Sequence, residues 1–200
     1  SQYLLPEIMV RFRERYPGVR LRVMETDSAG AVEQILSRRA DIGFAGTVLE
    51  EKQCVYIPFY QDELVVIIPG EGLEGPESAA ETAAWIRRMP VILREEGSGT
   101  RKEAQRLLRQ MGIELSELNI VASIQNQETI KRSVRNGMGI SILSRLAAED
   151  EIRSGVLRAV PLGETGGKRN INLVFDRRSL HSTEAEKLID LVKEMYPDNV

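Results

Sequence analysis

The sequence predicts an α/β protein of two lobes. Helical and strand hydrophobic periods alternate along nearly the whole chain, the pattern of sheets covered by helices. Two turn-rich breaks, residues 69–76 and 163–167, enclose a segment of about the size of a small lobe. The last strand and helix are thereby expected to return to the first lobe. The expected division is 1–68 with 168–200 as lobe I and 69–167 as lobe II, joined by two crossings.

Each element follows from local pattern. Leu4, Leu5, Ile8, Met9, Phe12 and Tyr16 recur at three- and four-residue spacing, one buried face of a helix. Pro6 suits its first turn and Tyr16-Pro17-Gly18 ends it. Val19–Met24 alternates Leu21 and Val23 with Arg20 and Arg22, a half-buried strand. Ser28 opens a second helix with Ala31, Val32, Ile35 and Leu36 inside, and Asp41–Ala45 is a short buried strand. This helix–strand–helix–strand order predicts a parallel sheet over the first 46 residues. Val55–Phe59 and Glu63–Ile68 are expected as two strands separated by the polar Tyr60-Gln61-Asp62. Beyond the first break come a strand at Pro90–Leu93, a helix at Ser98–Met111 and a strand at Ile120–Ser123. Next are a helix at Gln127–Asn136 and strands at Ile140–Leu143 and Val156–Leu162. After the second break follow a strand at Asn170–Phe175 and a last helix capped by Ser182 or Thr183. Thr183 and Glu186 have capping-box spacing.

Composition excludes several classes of function. The 200 residues are 42% hydrophobic and 28% charged, which is the globular range and not a disordered one. The net charge is −3, although 21 of the 27 basic residues are arginine. A broad nucleic-acid grip would need clustered, unopposed cations. The Arg101–Arg109 helix also carries Glu103 and reads as a solvated face. No binding of duplex DNA by these 200 residues is therefore expected. A single cysteine, Cys54, permits no internal disulfide and reads as filler near a strand start. A single histidine, His181, leaves no material for a histidine zinc site or a Ser-His-Asp triad. The longest apolar run, Leu64–Ile68, is far short of a membrane span, and no signal peptide is expected. Glu95-Glu96 point to opposite sides of an extended chain, and nothing pairs a nucleophile with a base. Trp85 reads as core or lobe surface. No enzyme activity, cofactor or metal is expected.

The run from Arg94 to Arg101 is the strongest local signal. A strand ends, a Gly97-Ser98-Gly99-Thr100 turn follows, and a helix begins. The first helical amides lack internal partners and the helix dipole adds positive potential, so the turn suits a carboxylate, sulfate or phosphate. The alternative is that Ser98 serves only as an N-cap. The Walker A spacing is not there. Gln125-Asn126-Gln127-Glu128 is a second polar strand-to-helix turn, for which an ordinary Asn126 cap is the simpler reading. Asn136-Gly137-Met138-Gly139 reads as a helix stop with Gly137 in the left-handed position. Asp27–Gly30 and Gly46-Thr47 are weaker turns of the same kind.

Together these residues resemble the effector-binding domain of bacterial LysR-type transcriptional regulators, over nearly the whole chain. The carriers are Tyr3–Pro6, Phe12–Val19, Ala40–Gly43 and Leu64–Pro69, then Glu95–Arg101 and Ile130–Ile140, in that order. The resemblance implies a type II periplasmic-binding-protein-like fold, each lobe a mixed sheet flanked by helices. It implies a small anionic metabolite in the interlobe cleft, held by Ser98, Gly99, Thr100, Gln125 and Asn126. Gly46, Thr47 and Ser1 would contribute from the first lobe. It further implies a cytoplasmic homodimer or tetramer that touches no membrane. Leu4–Tyr16 of one subunit would pack against Gln127–Asn136 of its mate. DNA would be reached only through an amino-terminal winged helix-turn-helix which, with the first strand of lobe I, is expected upstream of Ser1. The rival reading is a stand-alone solute-binding protein of a transporter, and a third is an enzyme built on the same fold.

Overall fold

The computed structural model describes residues 3–163, 166–178 and 183–197. The chain forms two compact units, Ser1–Gln61 with Asn170–Val200, and Asp62–Arg169. Both divisions fall inside strands. The chain passes from one unit to the other within Cys54–Pro69 (β2) and returns within Gly167–Asp176 (β7). The turn-rich breaks expected as crossings instead lie within the second unit. What reads in sequence as a polar gap at Tyr60-Gln61-Asp62 is uninterrupted strand, because Asp62 is buried against a partner distant in sequence.

In the first unit, Leu5–Arg15 (α1) and Ser28–Leu36 (α2) form where the periodicity places them. Pro lies in the first turn of α1, and Asp27 caps α2 by accepting from the Gly30 amide at 2.7 Å. Phe12 is buried and lies against Tyr16 with the two rings tilted at 51°. Gly43–Ala45 (β1) pairs with β7 antiparallel, Phe44 opposite Leu173. Val32 and Ile35 of α2 pack on Ala45, Cys54 and Val174. Cys54 is thus core at a strand start, and burial pushes its thiol pKa up. Two expectations fail here. Residues 19–24 form no strand: no ladder partner is described for them, and Leu21 and Val23 face solvent. The only described strand of the first 46 residues is therefore β1, and its pairing is antiparallel rather than parallel.

The second unit is built on a mixed sheet. Its further strands are Pro90–Arg94 (β3), Asn119–Ile124 (β4), Ile140–Ser144 (β5) and Leu157–Pro161 (β6). β3 runs parallel to β4 and β5, while β2 runs antiparallel to β5 and β6. The order is β6-β2-β5-β3-β4. Both faces are covered. Ala79–Arg88 (α3) and Gly99–Gln110 (α4) bring Trp85, Ile86, Leu107 and Leu108 against Leu64, Val66 and Leu93. Gln127–Arg135 (α5) brings Ile130 and Val134 against Val65, Ile67 and Ile92 on the other face. Burial on both faces explains why Leu64–Ile68 is a continuous apolar run. Each such side chain contributes about 1.5–3 kcal/mol relative to exposure. Two helices carry no expectation from sequence, α3 and the short Glu149–Arg153 (α6). Gly137 ends α5 with φ 79°, the left-handed conformation that glycine adopts without a Cβ clash.

No described helix is long and apolar enough to cross a membrane.

Candidate functional site

Because β3 and β4 are parallel neighbours with Arg94 opposite Ile124, the chain leaves both strands at the same edge of the sheet. The Ser98 turn and the Gln125-Asn126 turn are thereby brought side by side at the carboxyl ends of the strands. This is the edge at which α/β sheets take their ligands. A lattice of hydrogen bonds fixes the two exits together. The Ser123 hydroxyl donates to the Arg94 carbonyl at 3.2 Å, and Arg101 Nη1 donates to the same carbonyl at 3.1 Å.

Ser98 caps α4, but weakly. Its Oγ accepts from the Arg101 amide at 3.4 Å, at the long end of a hydrogen bond. The Gly99 and Thr100 amides have no partner among the described residues, and neither hydroxyl hydrogen of Ser98 or Thr100 has an acceptor there. Ser98 and Gly99 are buried and Thr100 is half-buried. Four donors with no acceptor among the described residues therefore lie at one helix start, where the dipole favours negative charge.

The surrounding arginines are all matched by carboxylates. Arg94 holds Glu95 through two 2.8 Å contacts, and Arg101 lies 4.0 Å from Glu96. Arg169 meets Asp62 at 2.8 Å, with side chains only 6% and 2% exposed. The uncommitted groups at this helix start are thus N–H and O–H donors, and the cations around them are each paired.

Asn126 behaves differently. Its Oδ1 accepts from the Thr129 amide at 2.9 Å, a full N-cap of α5, and both Gln125 and Asn126 are exposed. Gly46 and Thr47 follow β1 in the first unit and are half-buried there. Ser1 lies outside the described residues, as does His181. Among the described residues no cluster of His, Cys, Asp or Glu could hold a metal ion.

Sequence reading passed over Asp62, Ser144 and Arg169. The Ser144 hydroxyl donates to Asp62 Oδ1 at 2.8 Å, Arg169 Nε donates to Asp62 Oδ2 at 2.9 Å, and Arg169 Nη1 donates to Thr100 Oγ1 at 3.1 Å. A hint was available in Asp62 itself, since an acid beside the run Leu64–Ile68 must find a partner if buried.

The same fold is found in solved domains of regulators. The regulatory domain of Synechocystis PCC6803 CcmR, solved in complex with 2-PG, superposes with TM-score 0.84 at 22% identity, covering 98% of this chain and 93% of that one. The effector-binding domain of QuiR, solved with shikimate, gives 0.82 at 16% identity over 96% and 90%. The chain belongs to the LysR substrate-binding domain family, whose model matches residues 1–197. Among curated relatives, the HTH-type transcriptional regulator YeiE of Escherichia coli strain K12 is 37% identical over 166 residues, 81% of this chain and 54% of its own length. The chain spans between 39% and 65% of the length of the curated relatives it matches here.

Proposed function

We propose that this domain senses a small anionic metabolite for a LysR-type transcription regulator, and that the Ser98-Gly99-Thr100 turn is its anion seat. The observation that carries this reading is the set of two amides and two hydroxyls at the start of α4 with no acceptor among the described residues. A ligand carboxylate or oxyanion supplies the acceptors they lack. Shikimate, the ligand named for the QuiR domain, is such a carboxylate. Gln125 and Asn126 flank the seat, and Gly46, Thr47 and Ser1 are proposed as further contacts from the first lobe. The two units act as the two lobes. The domain works without enzyme activity, in the cytoplasm, as a homodimer or tetramer. Occupancy is passed to a winged helix-turn-helix in the remainder of a longer protein, through which alone DNA is bound.

Titration calorimetry of the chain with inorganic sulfate, inorganic phosphate and shikimate tests the seat. At least one probe binds. Hydrogen bonds to a charged group contribute about 1.5–3 kcal/mol each, so the Ser98→Ala/Thr100→Val variant loses on the order of 100-fold in affinity. A folded double variant that binds as tightly as the parent would move the site elsewhere.

A further inference from the structure

We infer that Arg169 is a positioning residue for the effector, acting through Thr100 and held in place by Asp62. The inference rests on the anion seat proposed above and adds what decides its preference for acceptors.

Asp62 and Arg169 are the first and last residues of the second unit. Their ion pair is deeply buried, and the Ser144 hydroxyl holds the second carboxylate oxygen at 2.8 Å. Ser144 in turn accepts from the Ala147 amide at 3.4 Å. A fastening between β2 and β7 would need no more than this. The guanidinium makes one contact beyond it, from Nη1 to Thr100 Oγ1 at 3.1 Å.

That third contact has a directional consequence. A guanidinium has only donors, so Thr100 Oγ1 must be the acceptor and its own hydrogen must turn away from Arg169. Ser98 Oγ is oriented in the same sense, because it accepts from the Arg101 amide. Both hydroxyls therefore present hydrogen to a ligand. Without Arg169 the Thr100 hydroxyl would be free to rotate and to accept. The charge of Arg169 is met by Asp62, so its effect is orientation rather than a bare positive charge. A ligand group that itself donates, such as an amide in place of a carboxylate, would find only the one remaining lone pair of each hydroxyl to accept it.

A double-mutant cycle in calorimetric titrations with sulfate, phosphate and shikimate tests this. Arg169→Lys keeps a cation for Asp62 but lacks the planar fork that spans both partners. Asp62→Leu/Arg169→Met removes the buried pair together, the replacement that buried ion pairs tolerate best. Loss of one oriented, charge-facing hydrogen bond should weaken probe binding by about tenfold in either variant. In a Thr100→Val background, where the hydroxyl is already gone, the same changes should cost less than about twofold. Thr100→Ser, which restores a hydroxyl, should restore the sensitivity to Arg169. Losses that add in the Thr100→Val background would overturn the inference, since Arg169 would then touch the ligand or act only through the fold. If Ser98 and Thr100 prove essential while Arg169→Lys binds as the parent does, the inference fails and the seat stands. If the parent binds none of the three probes, both fall.

Discussion

Two helices, α4 and α5, start at the same edge of the same sheet, and their first turns are built to opposite ends. At α5 the cap is complete: Asn126 Oδ1 meets the Thr129 amide at 2.9 Å and also lies 3.4 Å from the Thr129 hydroxyl. At α4 the cap contact is stretched to 3.4 Å, and two amides and two hydroxyl hydrogens stay uncommitted within the described residues. The α5 turn is exposed, so water satisfies whatever the cap leaves; the α4 turn is largely buried, so its donors wait for another partner. Similar N-cap chemistry therefore closes one helix start and leaves donors open at the other, where the anion seat is proposed.

The largest test of this contrast lies on α5. Lys131 is 6% exposed and reaches Glu128 at 2.7 Å, Glu151 at 2.8 Å and the Ala147 carbonyl at 2.9 Å. It ties α5 to the turn that leads into α6. Lys131→Met should cost about 3 kcal/mol, the low end for breaking a buried pair, because Glu151 would lose its cation while still largely enclosed. Urea unfolding of the chain measures the loss. Probe affinity corrected for the folded fraction should hardly change. A fall in intrinsic anion affinity would show that α5 carries recognition as well as structure.

A second, smaller test compares the two caps directly. Asn126→Ala should destabilise by about 1 kcal/mol, the usual worth of a well-formed N-cap, with little effect on anion binding. Ser98→Ala should cost only about 0.5 kcal/mol of stability, since its cap bond is long, yet weaken anion binding far more. Thermal unfolding and titration on the same two variants separate the effects. An exchange of these roles would overturn the contrast.

How much of this was legible in sequence depended on the distance between partners. The Ser98 turn could be read because strand end, glycines, hydroxyls and helix start lie within eight residues, Arg94 to Arg101. The Asn126 cap and the Gly137 stop were legible for the same reason. Asp62 was not. Its partner is Arg169, 107 positions away, and no local period reports that a polar residue will be neutralised by a distant strand. The gap read between two strands was the visible trace of this pair. Residues 19–24 fail in the opposite direction. Their alternation is a good strand pattern, but strand pairing needs a neighbour, and none is described. The helix α3 escaped notice because Ala79–Arg88 is dominated by alanine, with only Trp85 and Ile86 as large apolar residues. Trp85 proves to be core.

The smallest effect concerns a third helix start, which joins α4 to β4. The single turn Leu115–Glu117 begins with a reciprocal box: the Glu114 amide donates to the Glu117 carboxylate at 2.6 Å, and the Glu117 amide donates back to the Glu114 carbonyl at 3.0 Å. Arg87 on α3 adds Nε to the Glu117 carboxylate at 3.2 Å. The Glu114 amide first, and Arg87 second, hold the Glu117 pKa below the ordinary glutamate value. A carboxylate whose folded pKa is depressed stabilises the fold fully above its unfolded pKa, about 4.3 for glutamate. That contribution is lost as pH falls through the lower, folded value. Unfolding in urea should therefore become easier from about pH 5 downward. Glu117→Gln, which cannot ionise, should remove part of this acid sensitivity. The carboxylate is open to solvent and its ion pair is screened, so the change should be small and should shrink further in high salt. Since the box fastens α4 at its carboxyl end, the variant should leave anion affinity at neutral pH untouched. A loss of affinity would mean that the seat depends on how α4 is fastened at its far end, and not only on the residues of its first turn.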